Sequence, residues 1–256
     1  MSGGALTLTG LSGLPEVLPG TDLAALLAAS LATLNPAAAA ADVLVVAQKI
    51  VSKSEGRLVE LASVVPGTRA RELAATTGKD ARLVELVLAE STEVLRARRD
   101  VLIVRHRLGF VMANAGIDRS NVPAPAAHEQ VLLLPVDPDA SAERLRAALG
   151  TRLGVAPGVI ISDSFGRPWR RGVVNIALGA CGIPVLVNRR GETDRAGRPL
   201  EVTEVALGDA LAAAAGLLMG EAAEGIPAVL IRGLRTSAPA NSARSLIRPL
   251  HEDLFR

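Results

Sequence analysis

Apolar residues along this chain of 256 residues repeat with two different periods. Short runs in which they are consecutive or alternate predict strands at 5–10, 42–48, 57–61, 100–106, 109–115, 130–135, 158–163, 183–188 and 226–233. Between them, stretches rich in Ala and Leu with charges on one face predict helices over 22–34, 69–77, 80–98, 140–153 and 207–220. In "ASAERLRAAL" the N-cap position falls to Ser141, with Arg144 where a capping box would place Glu. The runs 100–106 and 109–115 flank a two-residue "RL" turn, a hairpin that argues against a purely parallel sheet. The pattern is that of an α/β or α+β protein with mixed sheets. Residues 121–130, 189–199 and 235–249, rich in Pro, Gly or charge, are its expected loops.

Composition removes several function classes. A mass of 26.4 kDa suits one large domain or two small ones. The single cysteine, Cys181, excludes an intrachain disulfide and any Cys-rich metal site; inside the apolar "ALGACGIPVLV" it is expected to pack rather than react. The opening "MSGGALTLTG" has neither the basic nor the apolar region of a signal peptide. The longest helical apolar run, 22–34, falls short of the ~20 residues that cross a bilayer, so a cytoplasmic protein without membrane partners is expected. The 28 basic and 26 acidic residues are interleaved to a net charge of +2, and aromatics make up 2% without tyrosine. That balance does not fit a nucleic-acid surface.

Four polar clusters lie at the ends of apolar segments, where α/β proteins commonly place their sites. "SGLPEVLPG" (12–20) is a Gly/Pro-bounded turn with backbone amides to offer. In "AQKIVSKSEG" (47–56), Lys49 and Lys53 are four residues apart, which on a helix start puts both ammonium groups on one side to attract phosphate; a solvated helix face is the ordinary alternative. "ANAGIDRSN" (113–121) supplies Asn114, Asp118, Ser120 and Asn121, which also make ordinary Asx turns. "MGEAAEGIP" (219–227) adds Glu221 and Glu224, where Gly225 and Pro227 would equally just end a helix. A further stretch, "ISDSFGRPWRRG" (161–172), runs an apolar strand into Asp163, Ser164 and three arginines, either a plain turn or a metal and anion site. Oxygen donors without thiols, and only three histidines, suit Mg²⁺ or Mn²⁺ better than zinc. Neither the G-x-x-x-x-G-K-[ST] loop nor G-x-G-x-x-G occurs. From the residues alone, the chain is a metal-dependent enzyme acting on phosphates.

Taken together and in this order, the clusters resemble the coenzyme F-420:L-glutamate ligases, or gamma-glutamyl ligases. The likeness rests on "GLPEV" (13–17), "VVAQKIVSKSEGR" (45–57), "RHRLGFVMANAGIDRSNV" (105–122), "ISDSFGRPWRRGVVNIALGACG" (161–182), the stretch 194–233 and the closing "LIRPLHEDLFR" (246–256). The resemblance implies a single unfused module over 1–256, with room for two subdomains, in a family-specific α+β fold. It implies a homodimer that uses GTP to add L-glutamate to the deazaflavin precursor through an acyl phosphate, with Mn²⁺ or Mg²⁺ and with K⁺. Carried over residue by residue, Asp118, Asp163, Ser164 and Glu221 would bind metal, and Asp118, Asp163 and Lys53 would serve catalysis. Leu14, Pro15, Glu16, Val17, Gln48, Lys53, Asn121, Met219, Gly220, Glu221, Ala222, Ala223, Glu224, Gly225 and Ile226 would contact GTP. Arg167, Arg170 and Arg171 are placed near the anionic substrates by charge alone. Two other readings stand beside this one: a ligase of the same fold acting on another carboxylate, and a nucleotide-binding regulatory module without turnover.

Overall fold

The computed structural model describes residues 4–120 and 129–254. In chain order its elements are β1 (Thr7–Leu11), α1 (Leu23–Ala32), β2 (Val43–Ala47), α2 (Gln48–Ser54), β3 (Leu58–Glu60), α3 (Thr68–Thr77), α4 (Ala81–Ala89), β4 (Ser91–Arg98) and β5 (Val101–His106). There follow β6 (Val111–Ala113), β7 (Gln130–Leu132), α5 (Pro138–Leu153), β8 (Gly158–Gly166), β9 (Val173–Cys181), β10 (Leu186–Asn188), β11 (Glu204–Ala206), α6 (Leu207–Met219) and β12 (Ala228–Arg232). The fold is α+β. Its main sheet has the order β1-β12-β2-β8-β9, in which only β2 and β8 run parallel.

The continuous apolar run in β2 is explained by burial on both faces. Leu44 and Val46 join Val159, Ile161 and Leu230 in a core closed by α1 and α5, while Val43 and Val45 join Ile160, Val229 and Ile231 under α6. Alternate side chains of a strand point to opposite faces, and each such burial contributes roughly 1.5–3 kcal/mol. Residues between α2 and α5 build a second hydrophobic centre from α3, α4 and the β4-β5-β6 sheet, around Leu83, Val87, Leu102 and Val104. Phe110, Met112, Leu134, Phe165 and Leu178 pack between the two centres, with the Phe110 and Phe165 rings edge to face at 5.9 Å.

Four local expectations are corrected. The helix predicted over 80–98 ends at Ala89, and residues 91–98 form β4, antiparallel to β5. No breaker marks the junction; Ser91 closes the helix by donating to the Val87 carbonyl, and pairing with β5 then outweighs helical periodicity. Residues 173–181, not read as a strand, are β9, an Ala- and Gly-containing segment paired along β8 and buried continuously from Ala177 to Ala180. The hairpin at 100–106 is present, but its loop is longer than "RL", and its second strand is Val111–Ala113. The N-cap of α5 is Asp137, whose carboxylate accepts from the Ala140 amide at 3.1 Å, and Pro138 occupies the first turn. Ser141 is inside the helix and donates to Glu55 at 2.5 Å.

Candidate functional site

A cleft of about 460 Å³ opens at the carboxyl ends of the parallel pair β2 and β8, the usual position for a ligand site in such a sheet. Four segments wall it: the loop Leu14–Val17, the start of α2 with Gln48, Lys49 and Lys53, the β8 residues Ser162–Ser164 facing Asn175 of β9, and the segment from Met219 through Pro227. Strand β2 passes directly into α2 with no intervening loop, so Gln48 and Lys49 face the cleft as soon as the sheet ends. The α6 helix stops at Gly220 in a left-handed conformation (φ 68). The positive φ favours glycine there, and a Cβ would also displace the Glu224 carboxyl that lies 2.0 Å from its position.

Both lysines are paired with carboxylates. Lys53, 7% exposed, donates to Glu16 at 2.5 Å and ties α2 to the 14–17 loop. Lys49 reaches Asp118 at 2.6 Å and Ser120 at 2.8 Å. Asp118 is brought to it by a tight turn, with Asn114, Ala115 and Gly116 all left-handed (φ 52, 54 and 68). A two-way backbone bridge to Leu132 holds the residue in place. Among the described residues the buried Asn114 side-chain oxygen accepts no hydrogen bond.

The carboxylates respond differently to their surroundings. Burial raises the Asp118 carboxyl, but hydrogen bonds from Lys49 and Ser120 outweigh it and the net shift is downward. Asp163, partly buried on β8, is pushed up to about 7, by burial first and also by the charges of Asp118 and Glu221; the Ser164 amide and Lys49 only partly offset this. Three negative groups thus converge with Lys49 as the cation acting on Asp163. The surplus negative charge and the hard-oxygen donor set fit a divalent cation. Among the described residues no three His, Cys, Asp or Glu side chains are gathered closely enough to hold an ion by themselves. A Mg²⁺ or Mn²⁺ ion here would therefore take no more than one or two of these carboxylates and would need phosphate oxygens and water to complete its shell.

The structure brings together most of the residues singled out in the sequence. Leu14–Val17, Gln48, Lys53, Asp163, Ser164, Met219–Ala223, Gly225 and Ile226 all line the cleft. Asp118 reaches it through Lys49. Glu224 does not line it and instead closes its own loop by accepting from the Ala222 amide at 2.9 Å. Asn121 lies outside the described residues. The plain-turn reading of Asp163 and Ser164 is corrected, since both are inside β8, paired with Ile176 and Asn175. Asn175 was missed. It is 9% exposed and lines the cleft, but "VVNIALG" carries no signal that a strand turns this amide toward a ligand. Cys181 packs partly buried against the main core.

Comparison with known proteins identifies the family of the chain. A family model described as F420-0:Gamma-glutamyl ligase matches residues 13–233. The Coenzyme F420:L-glutamate ligase of Methanopyrus kandleri is 48% identical over 245 residues, covering 94% of each chain. The protein of that name from Methanothermobacter thermautotrophicus is 43% identical over 256 residues, covering 98% of this chain and 99% of its own. That from Methanocaldococcus jannaschii is 44% identical over 215 residues, 84% of each.

Proposed function

The chain belongs to the F420-0:gamma-glutamyl ligase family, and from that premise we propose that it activates a carboxylate of the deazaflavin precursor with GTP and joins it to L-glutamate. Ligation of glutamate to coenzyme F420 is the activity of this family. The use of GTP, an acyl-phosphate intermediate, divalent metal with K⁺, and a homodimeric state are our reading. One observation carries it: a ligand-sized cleft lined by Lys49, Lys53, Asp163, Ser164 and Glu221, with Asp118 held against Lys49 at its edge.

The chemistry follows from the groups. A carboxylate oxygen is a poor leaving group in attack by an amine. In the proposed first step the precursor's carboxylate oxygen attacks the γ-phosphorus, the bond to the β-phosphate oxygen breaks and GDP departs. The glutamate amine then attacks the acyl carbon, the carbon–oxygen bond breaks, phosphate leaves and the amine proton passes to solvent. Lys49 and Lys53 offer positive charge along the phosphates, at the cost of exchanging their present carboxylate partners. Asp118, Asp163, Ser164 and Glu221 would hold the divalent metal, which when bound neutralises charge on the transferring phosphoryl group. Positioning and charge are the main levers in such transfers.

Incubation with GTP, Mn²⁺ or Mg²⁺, L-glutamate and the deazaflavin precursor should release GDP and yield a product heavier by one glutamyl residue by mass spectrometry. EDTA should stop GDP release, and added metal should restore it. Full turnover in chelator would remove the metal from this scheme; a glutamylated product formed on a different acceptor only would remove the deazaflavin.

A further inference from the structure

Resting on that ligase reading, we propose that the tip of the β8–β9 hairpin is the platform for the body of the acceptor, with its planar ring system on Trp169 and its anionic groups against Arg167 and Arg170. The first reason is room. A cleft of about 460 Å³ accommodates one ligand of drug size. With the nucleotide in it, an acceptor can bring in little more than its carboxylate, so the rest must lie outside on a neighbouring surface.

The second reason is continuity. Strand β8 carries Asp163 and Ser164 at the cleft and stays in the sheet to Gly166, whose partner is Val173. The tip, residues 167–172, therefore begins three residues beyond Ser164. At ~3.3 Å per residue, Trp169 is no more than about 17 Å along the backbone from Ser164, a span suited to an elongated molecule with one end in the cleft.

The third reason is how the tip is built. Trp169 is 89% exposed and sits in the left-handed region (φ 64), a strained conformation for a bulky residue. Pro168 precedes it and stiffens the turn. Arg170 and Arg171 are exposed, and none of the three arginines forms an ion pair among the described residues. Arg167 donates to the Arg171 carbonyl at 3.1 Å, while its Nε is enclosed with no hydrogen-bond partner among the described residues. An indole face held out on a stiff turn among guanidinium groups matches a ligand that is at once planar, aromatic and anionic, through stacking and paired hydrogen bonds.

Trp169 is the only tryptophan, and there is no tyrosine, so intrinsic fluorescence reports this residue alone. Adding the deazaflavin precursor without GTP should quench that emission, and GTP alone should not. Trp169→Ala and Arg170→Gln should each raise the KM for the acceptor roughly tenfold, with the loss falling on that KM rather than on kcat or on the KM for GTP. Arg195→Gln, an exposed arginine on a different loop, serves as the charge control and should keep the acceptor KM. Turnover with neither quenching nor a changed KM would overturn the platform while leaving the ligase reading intact. Quenching without turnover would keep the platform and remove the ligase reading. If Trp169→Ala and Arg170→Gln instead convert an oligomer to monomer in sedimentation, the tip is an interface between copies of the chain and the platform is overturned.

Discussion

Burial, together with the negative charges of Asp118 and Glu221, pushes the Asp163 carboxyl up to about 7, and this links function to stability at one residue. An acid raised from its unfolded value near 3.8 binds more protons folded than unfolded between those two values, so folding stability falls as pH rises through that window and stays low above it. In metal-free protein, Asp163→Asn removes this cost. Its Tm should equal wild type near pH 3, exceed it increasingly to pH 7, and remain above it by up to roughly 4 kcal/mol equivalent. The same variant should release GDP about 10²–10³-fold more slowly, the usual loss when a key electrostatic group of a transition state is removed. Melting curves in EDTA and GDP-release assays with metal check the two halves. A variant that is neither more stable nor slower would show that Asp163 merely fills its place in β8.

At the scale of elements, α5 lies directly on β9. A Cβ on Gly179 would sit 2.2 Å from the Pro138 backbone carbon, so no side chain fits between the strand and the helix start. Beside that contact Asp139 accepts from the amides of Ala180 and Ala243 and from the Ser242 hydroxyl at 2.8, 3.0 and 2.5 Å, joining helix, strand and C-terminal segment. Gly179→Ala should therefore destabilise by about 3 kcal/mol, measured by urea denaturation, because backbone rather than a flexible side chain must move. A loss below about 0.5 kcal/mol would mean that α5 can slide on the sheet. These elements also show what periodicity conveys. The helices α1, α3, α5 and α6 and the buried strands β2, β8 and β12 were legible because their apolar spacing is set by the faces they bury. The change from α4 to β4 was not, since "LAESTEV" suits either state and only the β5 edge chooses between them.

Across the whole molecule, two carboxylates, Asp163 and Glu90, carry opposite pH signatures. In the second centre, burial raises the Glu90 carboxyl, but the His106 and Arg107 hydrogen bonds and the charges of Arg107 and Arg57 bring it down to about 2. This is the reverse of Asp163, and its stabilisation is full above the ordinary value of 4.5 and lost as pH falls toward 2. Glu90→Gln should lower Tm at pH 7, with the deficit shrinking toward pH 2; a deficit independent of pH would assign the loss to packing alone. Sequence by itself determined which residue types this protein has to work with, and how they are ordered along its main elements. Apolar spacing marked most strands and helices, and four clusters of lysines, carboxylates and glycines, with their family likeness, marked the chemistry, because backbone periods and motif chemistry are local properties. Only the tertiary structure decided that Asp163 and Ser164 stand on a strand, that Asn175 faces the same cleft, that Glu224 serves its own loop, and that Lys49 and Lys53 are neutralised by Asp118 and Glu16. Each of these depends on which distant segment lies alongside, and side-chain pairing, burial and charge at a site are set by neighbours in space that no spacing along the chain encodes.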